Sequence, residues 1–338
     1  MEITEGRGLA LARRPAPAVA GTQVAVDVAF CGICGSDLHM LGDEEFPVRS
    51  VLGHELAGVV AAVADGVRSV AVGDHVAVVP YESCGRCRYC AVGSENLCVD
   101  GGHFGSVLGV QRVGGLASTV VADEAALVRL PPGTTLEQGA LAEPVAVARR
   151  AATKVTSATG DPVVVVGAGP IGVLVSLILR AEGFTDVTTV ERNPARRDLA
   201  SSLGVGTAEI TTDAQLAELD AATFVDCTGA PVAVAAQVAS VRRGGRVVLV
   251  GLGGPVSFDA SDAILREVEI VGSAGYSRAD FARAVELLAS GALPTDDLIT
   301  RVADVADAAD AFADLRDPAT HHIKVLLRHD PARGDHQR

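Results

Sequence analysis

Four consecutive valines, Val163–Val166, lead directly into Gly167-Ala168-Gly169-Pro170-Ile171-Gly172 and then into an apolar stretch, Ile171–Glu182. An all-valine run suits a strand covered on both faces, as in a parallel sheet. The spacing G-x-G-x-x-G says little alone, but between a strand and a helix it specifies a phosphate-binding turn. Gly167 permits the tight turn, Gly169 lets the backbone approach a pyrophosphate, and Gly172 lets the helix pack close to the sheet. The N-terminus of the helix that follows, with Pro170 and Ile171 in its first turn, then offers its free N–H groups to the phosphates. The next β-prone run, Val187–Val190, ends in Glu191, followed by Arg192. Glu191 is placed to accept hydrogen bonds from the adenosine ribose and would repel a 2′-phosphate, which predicts NAD rather than NADP. Arg192 could instead pair with such a phosphate.

The alternation continues. A helix is predicted over Arg196–Leu203 and another over Val232–Val241, with strands at Phe224–Asp226, Arg246–Gly251 and Glu267–Val271. Strands alternating with helices predict a doubly wound α/β domain beginning near residue 145. Ahead of it, residues 20–80 read as β-rich: Thr22–Ala29 alternates polar and apolar, and Val59–Val63 and His75–Val79 are short β-prone runs between turn signals. After residue 275 the pattern gives helices at Arg278–Ala289 and Val305–Leu315 and a last strand at Ile323–Leu327. The polar Asp330–Arg338 is expected to fray.

Cys84-x2-Cys87-x2-Cys90-x7-Cys98 places four thiols within fifteen residues. That spacing predicts a closed tetrahedral zinc site of structural type; an iron–sulfur cluster is the alternative for four thiolates. Cys31 and Cys227 belong to no motif and read as small buried residues. The net charge of −14 disfavours nucleic acid and anionic membranes as partners. No apolar run is long enough to span a bilayer, and Met1–Gly6 lacks a basic-then-apolar leader, so a cytoplasmic protein is expected. The only lysines are Lys154 and Lys324, and neither sits in a recognisable motif.

Two further segments carry metal-ligand chemistry: Cys31-Gly32-Ile33-Cys34-Gly35-Ser36-Asp37-Leu38-His39 and Gly53-His54-Glu55-Leu56-Ala57-Gly58. A catalytic zinc takes three protein ligands and keeps one position open. Cys34 and His54 are the first two candidates, and Glu55 or Glu143, in Leu141-Ala142-Glu143-Pro144, supplies the carboxylate. The stretch Gly53-His54-Glu55-x2-Gly58-x5-Ala64-x2-Val67 resembles the zinc signature of the medium-chain, zinc-containing dehydrogenases. The order of motifs, from Cys34 through His54, the four cysteines and Glu143-Pro144 to the glycine turn, is similar to the sorbitol, butanediol and threonine dehydrogenase branch.

The resemblance implies a GroES-like catalytic domain over residues 1–144, a Rossmann NAD-binding domain over 145–274 and a return to the catalytic domain over 275–338. It implies two zincs per chain, with Cys34, His54 and Glu143 as catalytic-zinc ligands and Glu55 as a neighbour that binds transiently. Asp37 resembles the carboxylate that orients the histidine ligand, Ser36 the hydroxyl that receives the substrate proton, and His39 the relay to solvent. The implied reaction is hydride transfer between a secondary alcohol or polyol and the nicotinamide, in a homotetramer or dimer. An aminocyclitol, amino-sugar or threonine substrate is the alternative on the same scaffold; a non-catalytic zinc and nucleotide sensor is the alternative of another class. Where the polyol branch often carries Arg-Tyr, this chain has Gly275-Tyr276, which departs from the pattern for sorbitol itself. His75, His103, His321, His322 and His329 carry no assigned role, although His103 follows the cysteine loop closely enough to edge a pocket.

Overall fold

The computed structural model describes residues 1–102, 105–317 and 321–330. His103 and the polar tail beyond Asp330 therefore lie outside the described residues. In chain order, a hairpin of β1 (Glu2–Ile3) and β2 (Leu9–Ala10) precedes β3 (Gln23–Gly32), α1 (Gly35–Gly42), β4 (Glu55–Val63), β5 (His75–Val78), β6 (Thr119–Asp123), β7 (Leu127–Arg129) and α2 (Leu136–Ala140). Next come α3 (Ala142–Ala152), β8 (Val163–Val166), α4 (Pro170–Ala181), β9 (Val187–Val190), α5 (Pro194–Ser202), β10 (Thr207–Ala208), α6 (Asp213–Ala217), β11 (Thr223–Asp226), α7 (Pro231–Ser240), β12 (Arg246–Leu249), α8 (Ala260–Leu265) and β13 (Glu269–Gly272). The chain ends with α9 (Arg278–Ala289), α10 (Thr295–Leu298), β14 (Ile299–Asp304), α11 (Ala308–Arg316) and β15 (Lys324–Arg328). These elements fall into two compact units, Met1–Glu143 with Ser277–Arg338, and Pro144–Tyr276.

The first unit is built on a sheet in the order β14-β15-β3-β4-β5-β7, with β6 also paired to β3. Its pairings are antiparallel except for β14 with β15. The long strand β3 is the hub: its alternating pattern buries Val24, Val26 and Val28. The C-terminal strand β15 inserts beside it, pairing Leu326 with Gly32 and Leu327 with Cys31. Phe30, Ala57, Ala140 and Leu326 meet in one core cluster, so residues some three hundred positions apart share one apolar centre.

The second unit is a six-stranded, all-parallel sheet in the order β10-β9-β8-β11-β12-β13. Counted within the unit this is 3-2-1-4-5-6, the doubly wound order of dinucleotide-binding sheets. All four valines of β8 are buried, as central parallel strands require. Helix starts differ slightly from the pattern-based expectation. α5 and α7 begin at Pro194 and Pro231, because proline suits the first helical turn, and Asn193 Oδ1 accepts the Arg196 N–H to cap α5. The helix expected at Val305 begins at Ala308, after a 3-10 turn over Val305–Asp307.

Candidate active site

Helix α1 and the first residue of β4 carry the polar cluster of the first unit. One carboxylate ties the two segments together. Asp37, 1% exposed, accepts the Cys34 N–H at 3.0 Å through Oδ2 and the Gly53 N–H at 3.2 Å through Oδ1. The same Oδ1 lies 3.5 Å from His54 Nδ1. Burial opposes charge on His54, but Asp37 and, behind it, Cys34 together outweigh burial and hold the imidazole pKa well above its ordinary value. Asp37 therefore fixes the backbone at Cys34 and at Gly53, just ahead of His54, and lies beside the His54 ring, as carboxylates behind metal-binding histidines do.

The Cys34 thiol, a His54 ring nitrogen and a Glu55 carboxylate oxygen all lie within 4.8 Å of one another. Ser36 Oγ is 3.4 Å from His54 Nε2. His39, one turn further along α1, is exposed. Glu143 is buried at the start of α3 and is not part of the 4.8 Å group. The donors present, one thiol, one imidazole and nearby carboxylates, are those a three-ligand zinc site uses, and a cation would offset the negative charge gathered there.

Lys324, to which the sequence patterns give no role, is built into this cluster. Its Nζ donates to Glu55 at 2.6 Å and 2.8 Å and to Ile33 O at 3.2 Å, and it is 4% exposed. Burial disfavours its charge, but Glu55 first, with Cys34 and Glu143 behind it, raises its pKa above the ordinary lysine value. Gly32 makes the contact possible: a Cβ there would meet Glu55 Oε2 at 2.1 Å. Three adjacent strands, β15, β3 and β4, thus bring Lys324 to Glu55 across Gly32, which itself pairs with Glu55 and Leu326. Nothing local to Lys324 in the sequence signals this, because its partner is 269 residues away.

The sulfurs of Cys84, Cys87, Cys90 and Cys98 also lie within 4.8 Å of one another. Cys87 Sγ is 3.6 Å and Cys84 Sγ 4.0 Å from Cys90 Sγ, close to the ~3.8 Å edge of a tetrahedron with zinc–sulfur bonds of about 2.3 Å and far beyond a disulfide bond. Backbone N–H groups, that of Cys90 first, pull the Cys87 thiol down to about 6. Desolvation and then the neighbouring sulfurs push Cys90 up to about 12. Four sulfurs so close can all be thiolates only around a cation, so the residues fit a structural zinc.

The alcohol dehydrogenase GroES-like domain matches residues 20–132, and the zinc-binding dehydrogenase domain matches residues 170–290. The chain belongs to the zinc-dependent medium-chain alcohol dehydrogenases. It is 31% identical to sorbitol dehydrogenase of Halalkalibacterium halodurans, covering 94% of this chain and 95% of that one. The solved 2R,3R-butanediol dehydrogenase of Bacillus subtilis is 30% identical, with a TM-score of 0.86 over 97% of this chain and 99% of its own. An Escherichia coli CFT073 alcohol dehydrogenase, RspB, solved with NADH, is 28% identical, with a TM-score of 0.87 over 93% of this chain and 94% of its own. This dehydrogenase is therefore a zinc-dependent oxidoreductase acting on CH–OH groups with a nicotinamide cofactor, on a GroES-like domain plus a Rossmann domain.

The glycine turn between β8 and α4 is crowded at its ends and open at its middle. Gly167 adopts φ 102°, and a Cβ on Gly172 would meet Gly167 O at 1.8 Å, whereas a Cβ on Gly169 would meet nothing within 4 Å. Backbone strain and crowding thus account for the outer glycines, and open space lies in front of the middle one. Gly169 caps α4, with Pro170 at its first position and Ile171 behind it. Glu191 braces this turn: its carboxylate accepts the Ala168 N–H at 2.9 Å and the Asn193 N–H at 2.8 Å. Arg192 is exposed. Of the two cysteines outside the motifs, Cys31 is buried as expected, but Cys227 is only half-buried. Among the described residues no helix is long and apolar enough to cross a membrane.

Proposed function

We propose that this dehydrogenase oxidises a secondary hydroxyl of a polyol or vicinal diol, with NAD as hydride acceptor, in the reversible sense common to such enzymes. The observation that carries the reading is the convergence of Cys34, His54 and Glu55 beside the Ser36 hydroxyl. Sorbitol and 2R,3R-butanediol, named for two similar proteins, share adjacent hydroxyl-bearing carbons. Zinc, when bound, supplies a Lewis acid that makes an alcohol proton easier to lose.

The chain's own residues then handle that proton. Ser36 takes it up as it hands its own hydroxyl proton on toward the exposed His39, which passes a proton to solvent. Cys34, His54 and Glu143 are the resident ligands in this reading. Glu55 is the alternate one, because Lys324 engages both of its oxygens. Cys84, Cys87, Cys90 and Cys98 hold a second zinc that stiffens their lobe, giving two per chain. Reduced thiolates of this kind suit a cytoplasmic setting. In the Rossmann domain, Gly167, Gly169, Pro170, Ile171 and Gly172 receive the pyrophosphate. Glu191 disfavours a 2′-phosphate and so selects NAD, despite Arg192 beside it. The edge strand β13, which among the described residues pairs only with β12, and the exposed Leu252, Ile264, Leu265 and Ile270 of the same unit support a homo-oligomer, a tetramer or dimer.

The test is zinc analysis combined with NADH formation over a panel of diols, polyols, cyclitols and amino alcohols. Two zincs per chain and turnover of a polyol or diol are expected. Absence of zinc from the Cys34 site in carefully purified protein, or turnover confined to amino alcohols, would overturn the reading.

A further inference from the structure

α1 is eight residues long, too short to hold its shape on helix propensity alone. Its first turn is fixed by Asp37 to the two ligand segments. At its other end, where helix carbonyls run short of partners, Met40 O accepts the Asp43 N–H at 3.3 Å and further donors come from outside. Arg7 grips that end and the loop beyond it: Nη2 donates to Met40 O at 2.5 Å and Nε to Leu41 O at 3.0 Å in α1, and Nη1 to Phe46 O at 2.8 Å four residues past it. Arg316, on α11, adds a bond from Nη2 to Leu38 O at 3.1 Å. Two cations at the carbonyl end also suit the helix dipole.

Arg7 is held in place for this task. It sits in the turn between β1 and β2 at φ 57°, a left-handed conformation that a side chain other than glycine rarely takes. The turn is closed by Arg7 N–H to Thr4 O at 3.0 Å and Thr4 N–H to Gly8 O at 2.9 Å. β1 is tied in turn to the segment just ahead of Gly53 and His54, by Ile3 N–H to Ser50 O at 3.0 Å and Arg49 N–H to Ile3 O at 2.8 Å. The same short hairpin therefore contacts the far end of α1 and the approach to His54.

We infer that Arg7 is a positioning residue for proton removal: it sets the pitch of α1, and so keeps Ser36 within reach of His54 Nε2 and His39 at the exposed end of the path. This rests on the Ser36–His39 path proposed above. A lysine cannot replace Arg7 fully, since a single ammonium cannot match the planar, three-point fork.

Arg7→Ala, Arg7→Lys and, separately, His39→Asn test it in the zinc-loaded dehydrogenase. In Arg7→Ala, amide hydrogen exchange over Leu38–Asp43 should quicken while the four-cysteine loop is unchanged. kcat at neutral pH should fall by about tenfold, less than complete loss of a proton acceptor costs, with KM for NAD unchanged. The deficit should shrink as the concentration of a buffer base that does not bind zinc, such as HEPES, is raised, and Arg7→Lys should recover part of the loss. Unchanged exchange in α1, or a kcat loss that buffer base does not relieve, overturns the role of Arg7. If His39→Asn itself shows no buffer-responsive deficit, the proton path fails instead. The exchange measurement needs no substrate, so it decides the clamp on α1 whichever alcohol is turned over.

Discussion

Removing Lys324 should damage the dehydrogenase more than any other single change at a lysine. Its side chain is 4% exposed and that of Glu55 1%, so neither charge has water to fall back on. Lys324→Met keeps the volume and removes the ammonium, leaving the Glu55 carboxylate buried without its cation and Ile33 O without a donor. Breaking a buried ion pair in this way costs about 3–5 kcal/mol, a factor of roughly a hundred to a few thousand in the folding equilibrium. The double variant Lys324→Met/Glu55→Gln removes both charges and should recover most of that, because replacing a whole buried pair is often neutral. The sign of the pH dependence follows from the direction of the Lys324 shift. Its folded pKa is raised, so the pair's contribution is complete below the ordinary lysine value of about 10.4 and fades as pH rises through the higher folded value. Urea unfolding of zinc-loaded protein at neutral and alkaline pH measures all three quantities. A Lys324→Met variant within about 1 kcal/mol of the parent at pH 7, the worth of an exposed pair, would refute the reasoning. So would a double variant no more stable than the single one.

Other outcomes are expected from the same geometry. Gly169→Ala should weaken NADH binding, measured by fluorescence titration, with little change in stability, since its Cβ meets nothing; Gly172→Ala should instead lower the melting temperature, because its Cβ collides with Gly167 O. Cys90→Ser should lose one zinc per chain and destabilise the cysteine lobe, read by metal analysis and limited proteolysis, whereas Cys34→Ser should abolish turnover and leave folding and NADH binding largely intact. His329 Nε2–H donates to Gly115 O at 2.8 Å, and burial lowers its pKa. The unfolded chain then takes up the proton first, so stability should fall as pH drops below about 6.5, and His329→Gln should flatten that slope in denaturant titrations between pH 7 and 5.

Those predictions draw on two kinds of residue. The cysteine quartet and the glycine turn were legible because their chemistry is local: sulfurs three and eight residues apart can reach one ion, and a strand, a tight turn and a helix are contiguous in sequence. Asp37 and Ser36 were legible because they lie within two or three residues of Cys34. The strands β1, β2, β7 and β14 left no comparable signal, being too short or too polar for a periodic pattern.

What the sequence by itself determined was therefore the α/β character, the donor types gathered in the two clusters and the glycine turn between β8 and α4, all set by bonds and spacings within some twenty residues. What only the tertiary structure decided was which distant charges meet. Lys324 reaches Glu55 because β15 inserts beside β3, and Arg7 and Arg316 reach α1 because a hairpin and a late helix from opposite ends of the sequence pack around its last turn. Such pairings depend on strand order and helix docking, which hydrophobic burial fixes over the whole unit, and no local pattern around a lone lysine or arginine records the partner it will find.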